Sequence, residues 1–532
     1  MAITVVNQKS SNTFHPVANP INVTVNSNNS GNCNFRYICD IYINGTKVFR
    51  DKLFPDPSTG YGFFQLARII QDYADWGLPL STQTTGGFYN IASNTRPNSM
   101  LSVYCKFGEE YDISTDCSGS VSQYLNLVTS NTFYAFNGVV DYEDFPSFDY
   151  TDYLLGQGSW GTGVNTEKFL TNSPRTLDIG YDDSYYLNFY SLTAPTSNAF
   201  ATYIAIRVTT YYKAGGTNVW DIPVTAAMTL NAYKHYRIAV GPYNINEFVG
   251  AGPFPITQWV YKYDVQLINS SNLAAKSETF TFNLKTPTEN KTRIGFVGLL
   301  GNTEYFNFFH RNKKMTEIER KNYRKTLNSN YSGVWSYRVG DRSETTYSIK
   351  AQEKHTVASY VNRDDSAWLS ELFLSPEVWV NKGPKTLCFT VYPNQVFSYG
   401  GGAGVDIEVP ASARIGPIGS GTTKLFFRVG KDHGLQVGDQ FYCYPDDNNL
   451  YVDYNNMFTV LALIGDDAVD CGVTYGIFSL TNYVTGFLVK SEPWVRLPVT
   501  LDDKSVEEKV RTSKPIEYTI NYSMAYEKNT LR

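Results

Sequence analysis

The chain has 532 residues, 42% of them hydrophobic and 15% aromatic, with 18% charged and a net charge of −5. That balance gives no electrostatic reason to expect nucleic-acid binding. No apolar run reaches the ~18 residues a membrane-spanning helix needs. At roughly 100–200 residues per domain, the length suggests three or four domains.

Tyrosine is the outlier, at 41 copies beside 32 Phe. Tyr suits half-buried strand surfaces, where the ring packs and the hydroxyl stays wet. The abundance points to many strands and much interface. The start, MAITVVNQKSS, lacks a basic region followed by an apolar core, so no secretory signal is expected. The N-x-S/T triplets at Asn22 and Asn44 are then read as chance. The cysteines are Cys33, Cys39, Cys105, Cys117, Cys388, Cys443 and Cys471. They form no CxxC and no zinc spacing with histidine, so they are expected to be reduced, mostly buried thiols of a protein made in a cytoplasm.

In chain order, Phe35, Tyr37, Cys39, Ile41 and Ile43 alternate on one strand face. Asn44-Gly45 then supplies a two-residue type I′ turn. GFFQLARIIQDYADWG follows, with Phe63, Leu66, Ile70 and Tyr73 on one helical face and Gly77 and Pro79 as its stop. A second short helix is expected in DYEDFPSFDYTDYLLGQG. From about residue 165, YYLNFYSL, TYIAIRVTTYYK, YKHYRIAVGPYN, QWVYKYDVQLIN and SETFTFNLK read as strands of a β-sandwich.

RIGFVGLLGNTEYFNFF then raises the question of a phosphate cradle, with Gly295, Gly298 and Gly301 at spacing three. A P-loop needs a Lys-Ser/Thr pair after its last glycine and a helix to receive the phosphate. Here Asn302-Thr303 and a strand follow, so a turn is the reading. Further on, NRDDSAWLSELFLSPEVWV predicts a helix capped by Asn362 or Asp364. Trp368, Leu369, Leu372 and Phe373 form its apolar stripe, and Ser375-Pro376 stops it. Residues 384–493 change style, with Gly/Ser/Pro-rich stretches and a GLQVGD turn. They read as a small β-barrel inserted into a parent domain, since exposed loops tolerate insertions.

The fold expected is all-β: mainly antiparallel β-sandwich domains with a few short helices and an inserted small β-barrel. The divisions are 1–164 (β-rich, one or two short helices), 165–290 (β-sandwich), 291–383 with 494–532 (discontinuous, one helix) and 384–493 (the insertion).

Chemistry is sparse. His15, His235, His310, His355 and His433 lie in no metal spacing. Ser420 sits between glycines but lacks the strand-to-helix elbow of a serine nucleophile. The acidic runs are Asp141, Glu143 and Asp144; Asp182 and Asp183; Asp446 and Asp447; and Asp466, Asp467 and Asp470. They could serve glycoside hydrolysis or bind calcium, but turns commonly carry Asp. Trp160, Trp220 and Trp259 are candidate sugar platforms, though buried sandwich tryptophans are commoner. EIERKNYRKTLNSNY is the one basic cluster. It alternates with acids, which suits a solvated face or a rim contact with an acidic neighbour better than a nucleic-acid groove. No catalytic, cofactor-binding or metal-binding residue is assigned, and no cofactor is expected.

Four stretches together resemble a family of tailed-bacteriophage virion structural proteins: KFLTNSPRTLDIGYDDSYYLNFY, RIGFVGLLGNTEYFNFFHRNKK, TTYSIKAQEKHTVASYVNRDDSAWLSELFLSPEVWV and LPVTLDDKSVEEKVRTSKPIEYTINYSMAYEKN. The resemblance covers residues 165–383 and 494–532, in order and wording rather than in a catalytic motif. Residues 384–493 depart from it. A more distant likeness is to distal tail proteins, which form β-sandwich rings and often carry an extra small barrel. The resemblance implies a non-enzymatic virion subunit, in a tail ring, a collar or a tail-tip fibre attachment. Its partners would be other virion proteins and further copies in a ring, with no small-molecule substrate, no sequence-specific nucleic-acid contact and no membrane insertion. It would be synthesised in the host cytoplasm. The alternatives are a glycan-binding host-attachment protein and a β-sandwich glycoside hydrolase.

Overall fold

The structure is a computed structural model. It describes residues 3–75, 82–83, 97–112, 117, 121–141, 143–144, 150–155, 167–191, 204–223, 234–249, 256–257, 259–269, 273, 275, 277–285, 291–324, 329–331, 334–336, 344–382, 386–391, 416–417, 423–428, 435–445, 457–464, 468–475, 484–490, 494–503 and 516–525. The fold is all-β, with a few short helices. The chain divides into two compact units. One comprises Met1–Pro287, Val297–Glu304 and Gly383–Trp494, and the other Thr288–Phe296, Tyr305–Lys382 and Val495–Arg532.

The first unit opens with two packed sheets. Ile3–Asn7, Asn22–Ser27 and Gly62–Gln65 form one, and Arg36–Ile43 and Met100–Asp112 are central to the other. Alternating side chains from both make the core: Val23, Val25 and Phe64 meet Tyr37, Ile41, Val103 and Phe107. The Asn44-Gly45 turn forms as its residue types require, with φ of 51° and 81°. The chain at residues 62–71 differs from the helix expected there. Gly62–Gln65 is a strand, and the helix is only Ala67–Gln71. Pairing of Val23 with Phe64 and of Val25 with Gly62 claims the segment for the sheet. In the stretch of the second predicted helix, the described residues include a 3-10 turn at Tyr150–Tyr153.

The expectation of seven reduced cysteines is corrected. Cys33 and Cys117 form a disulfide, with Cα atoms 5.1 Å apart and a sequence separation of 84 residues. The end of the long strand Met100–Asp112 lies beside Cys33, since Asp112 N donates to the Cys33 carbonyl at 2.8 Å. Cys39 and Cys105 are free and buried. A hydrogen bond between these two thiols, together with burial, pushes the Cys39 thiol well above its usual range.

The sandwich region holds a five-stranded sheet ordered Thr176–Gly180, Phe280–Lys285, Val260–Asn269, Ile204–Tyr212, Thr217–Pro223. A three-stranded sheet has Tyr186–Ser191 at its centre. Tyr263 Oη donates to the Val240 carbonyl at 2.9 Å, and the Tyr185 and Phe282 rings meet edge to face at 5.3 Å. The end of the expected strand YKHYRIAVGPYN is instead the start of a helix, Pro242–Val249. Its signal is Pro242 at the first helical position, where the missing N–H costs nothing. A further cluster of Phe14, Met100, Phe136, Leu170, Tyr190 and Leu300 draws on the N-terminal strands, the sandwich region and the 297–304 turn together.

Within the insertion, eight strands between Thr386 and Lys490 pair with one another. The order runs from Met457–Thr459 at one end to Ala462–Ile464 at the other. Among the described residues this is an open sheet, which corrects the small barrel expected: no hydrogen-bonded pair joins the two end strands.

The second unit is built on an eight-stranded sheet. Its main path is Thr303–Phe308, Thr292–Val297, Val378–Lys382, Trp494–Leu501, Ile516–Met524, Glu344–Val361, Arg311–Arg324. Lys382 pairs with Val495, so the insertion leaves and re-enters at adjacent positions of neighbouring strands. The helix Arg363–Leu369 is capped by Asn362, whose N–H donates to Asp365 Oδ2 at 3.3 Å. Trp368, Leu369 and Leu372 are buried, and the Trp368 ring lies 5.7 Å from that of Phe296.

Candidate functional site

The glycine-rich stretch is a turn. Gly301 N–H donates to the Gly298 carbonyl at 2.9 Å, and Gly298 N–H to the Asn302 carbonyl at 3.0 Å. Gly301 has φ of 76°, and a Cβ there would lie 2.0 Å from the Asn137 carbonyl oxygen. Val139 N–H donates to the Leu299 carbonyl at 2.7 Å. The turn is therefore held against residues 137–140. Beside it Glu304 is buried, taking hydrogen bonds from Thr171 Oγ1, from Asn302 Nδ2 and, at 3.1 Å, from Tyr185 Oη. A buried carboxylate at this place repels a phosphate.

Gly295, the first of the three, lies in the second unit. A Cβ there would stand 2.4 Å from the Trp379 indole nitrogen. That indole is also covered by the Arg496 guanidinium, 4.5 Å from the ring centroid. The spacing of three thus reflects two separate packing needs.

The same turn lines a cleft of about 300 Å³ in the first unit, through Leu299 and Leu300. Asp141, Asp144, Asp152 and Lys168 surround it. Lys168 Nζ meets Asp152 Oδ2 at 2.8 Å, and that hydrogen bond raises the Lys168 pKa. Burial raises the Tyr153 phenol. Two of the predicted acidic candidates, Asp141 and Asp144, therefore come together with Asp152, Tyr153 and Lys168, which sequence reading did not select. The pairing of Lys168 with Asp152 spans a stretch with no local motif to signal it. Among the described residues, no group of three His, Cys, Asp or Glu is placed to hold a metal ion.

The other candidates separate. Asp182 and Asp183 are buried at a tight turn, where Asp183 Oδ2 accepts from Gly180 N–H at 2.8 Å. Trp220 and Trp259 are half-buried. His15 and His235 have pKa values lowered to about 3, chiefly by burial, with Lys9 and Arg237 respectively adding to it. His355 stacks on Tyr522 at 5.0 Å and bonds Glu353 at 2.9 Å. Asp470 lies in the strand Ala468–Tyr475. Trp160, Ser420, His433, Asp446, Asp447, Asp466 and Asp467 fall outside the described residues.

The basic cluster proves to be the most unusual surface. Arg311–Arg324 is a 14-residue strand in which every residue is exposed. Among the described residues it pairs only with Glu344–Val361, and that strand meets its other neighbour, Ile516–Met524, only over Lys354–Val361. Glu344–Glu353 and the residues opposite therefore form a two-stranded arm, ~33 Å long at ~3.3 Å per residue. Ion pairs fasten its base: Lys314 Nζ to Glu353 Oε1 at 2.7 Å, and Lys354 Nζ to Glu317 Oε2 at 2.6 Å. The Lys314 hydrogen bond lowers the Glu353 pKa despite opposing desolvation. Along the arm Ile318, Tyr323 and Tyr347 are 53%, 48% and 64% exposed.

No protein-family model matches the chain, and no curated protein matches it in sequence. No helix among the described residues is long and apolar enough to cross a membrane.

Proposed function

We propose that the chain is a non-enzymatic structural subunit of a bacteriophage virion, working in the tail assembly as part of a ring, collar or fibre attachment. The observation that carries the reading is the arm. An isolated two-stranded hairpin is marginally stable in water, and this one presents Ile318, Tyr323 and Tyr347 to solvent. Such an element is suited to burial against a neighbour in an assembly. Three of the four stretches that resemble virion proteins run through strands of the same sheet, at 293–314, 345–380 and 497–529. In the acidic cleft the lysine is already engaged by Asp152.

The test is mass spectrometry of purified particles, followed by placing the chain in a particle density map. The protein is expected in stoichiometric amount with close neighbours. Its absence from washed particles, or one isolated copy without contacts, would overturn the reading.

A further inference from the structure

We infer that the second unit holds a small oxyanion, hydrogen phosphate in its chemistry, at Asn381 and Trp379 between Arg293 and Arg496. The inference does not depend on the structural-subunit reading.

The placement follows from strand register. Arg293 is the partner of Asn381, and Asn381 is the partner of Arg496, so the three stand in one row across neighbouring strands. At ~4.8 Å between strands, the two arginine backbones lie ~10 Å apart with the asparagine between them. Gly295 and Trp379 form the next row. Residues two apart in a strand share a face, so Trp379 and Asn381 point the same way. Each guanidinium is held flat against a ring. Arg293 lies over Tyr305, 4.6 Å from the centroid, and Arg496 over Trp379 at 4.5 Å.

The middle of this arrangement has unmet hydrogen-bonding groups. Asn381 is 6% exposed and Trp379 4% exposed. Neither Asn381 Oδ1 nor Nδ2 has a hydrogen-bond partner, and neither has Trp379 Nε1. Buried polar groups are costly to leave unpaired, which points to an occupant. Two acceptors nearby are already engaged: Asn307 Oδ1 accepts from Arg293 Nη1, and Tyr305 Oη from Arg496 Nη2, both at 3.0 Å. Among the described residues, the strands Thr292–Val297, Val378–Lys382 and Trp494–Leu501 place no Asp or Glu on this face. What the face offers is two positive charges and orphan N–H donors, a combination that selects an anion over a water molecule.

The burial of Asn381 and Trp379 limits the ligand to a few atoms and excludes a nucleotide. Arg496, only half-buried, marks the side of entry. Asn381 also presents an orphan acceptor, its Oδ1. Hydrogen phosphate has a P–OH to donate to it, whereas sulfate has none. Lys382 and Val495, where the insertion leaves and re-enters, are the adjoining register pair. The ion therefore fastens the two strands at the root of the insertion.

The experiment uses the full chain and inorganic phosphate, followed by phosphorus NMR line broadening at constant ionic strength. Saturable broadening is expected, with a dissociation constant of about 1 mM or tighter. Asn381→Leu removes both polar atoms and should weaken binding at least about tenfold, the contribution of one hydrogen bond to a charged group. Arg496→Met keeps an apolar stem over Trp379 and should weaken it by a similar factor. Circular dichroism confirms that each variant is folded. If Asn381→Leu is not, Arg496→Met decides, because its side chain is half-exposed. Sulfate should compete more weakly than phosphate.

A wild-type chain that gives no saturable broadening would overturn the inference. Binding that is unchanged in the folded variants would place the ion elsewhere and overturn the site. Sulfate that competes as well as phosphate would overturn the role given to Asn381 Oδ1 and with it the choice of phosphate.

Discussion

Gly301 shows how much one residue can decide. Its positive φ is costly for an L-residue, and a side chain would strike the Asn137 carbonyl. Gly301→Ala is expected to lower stability by about 3 kcal/mol, within the range of backbone strain at a fixed turn. Chemical denaturation measures this, and wild-type stability would mean that the turn gives way easily. The purified protein should show no saturable ATP binding.

Acid sensitivity is also set by single residues. His235 has a folded pKa of about 3, far below the unfolded ~6.5. Above pH ~6.5 both states are neutral and the group adds no pH dependence. As pH falls below that, only the unfolded chain gains the proton, and stability drops by about 1.4 kcal/mol per pH unit until near the folded pKa. His15 adds a parallel loss. Carboxylates such as Glu353, with lowered pKa, contribute their own loss only as pH approaches their unfolded range, near ~4.3. Melting followed from pH 7 to 5 should therefore show a slope that roughly halves in His235→Phe. An unchanged slope would refute neutral burial of this ring.

At the scale of elements, the arm separates from the sheet that bears it. Met315 pairs with Lys354, just as Ile43 pairs with Thr46 across the Asn44-Gly45 turn. Joining Met315 to Lys354 through Asn-Gly should give a sheet with a tight hairpin in place of the arm. The shortened protein is expected to melt within a few degrees of wild type, because residues 316–324 are exposed throughout, Ala351 is the one buried residue of Glu344–Glu353, and exposed ion pairs contribute ~1 kcal/mol or less. A large fall in melting temperature would show the arm to be part of the fold rather than a projection from it.

For the whole molecule, the insertion is the sharpest question. Its chain leaves at Lys382 and returns at Val495, which are register partners. Its described strands pair among themselves. A short Gly-Ser linker in place of residues 384–493 thus has almost no distance to span. The remainder is expected to unfold cooperatively, as followed by calorimetry. An insoluble or molten product would mean that the insertion shares a core with the rest.

Local chemistry made several features legible from sequence. Asn44-Gly45 dictates its turn because both residues accept positive φ. Asn362, Trp368 and Pro376 mark a helix by cap, stripe and stop. Alternation at Phe35–Ile43 announces a strand that is buried on one face. Each of these signals lies within a few residues of what it specifies. Tertiary structure decided the rest, because the partner is remote. Phe63 fits a helical face with Leu66 and Ile70 until Thr24 pairs with it in the sheet. Cys33 meets Cys117 only after the long strand has crossed the sheet. The acidic cleft gathers Asp141, Asp152 and Leu299 from separate stretches. The basic cluster around Arg320 reads as an ordinary solvated face until its neighbouring strand is seen to leave the sheet with it, which makes it part of an arm.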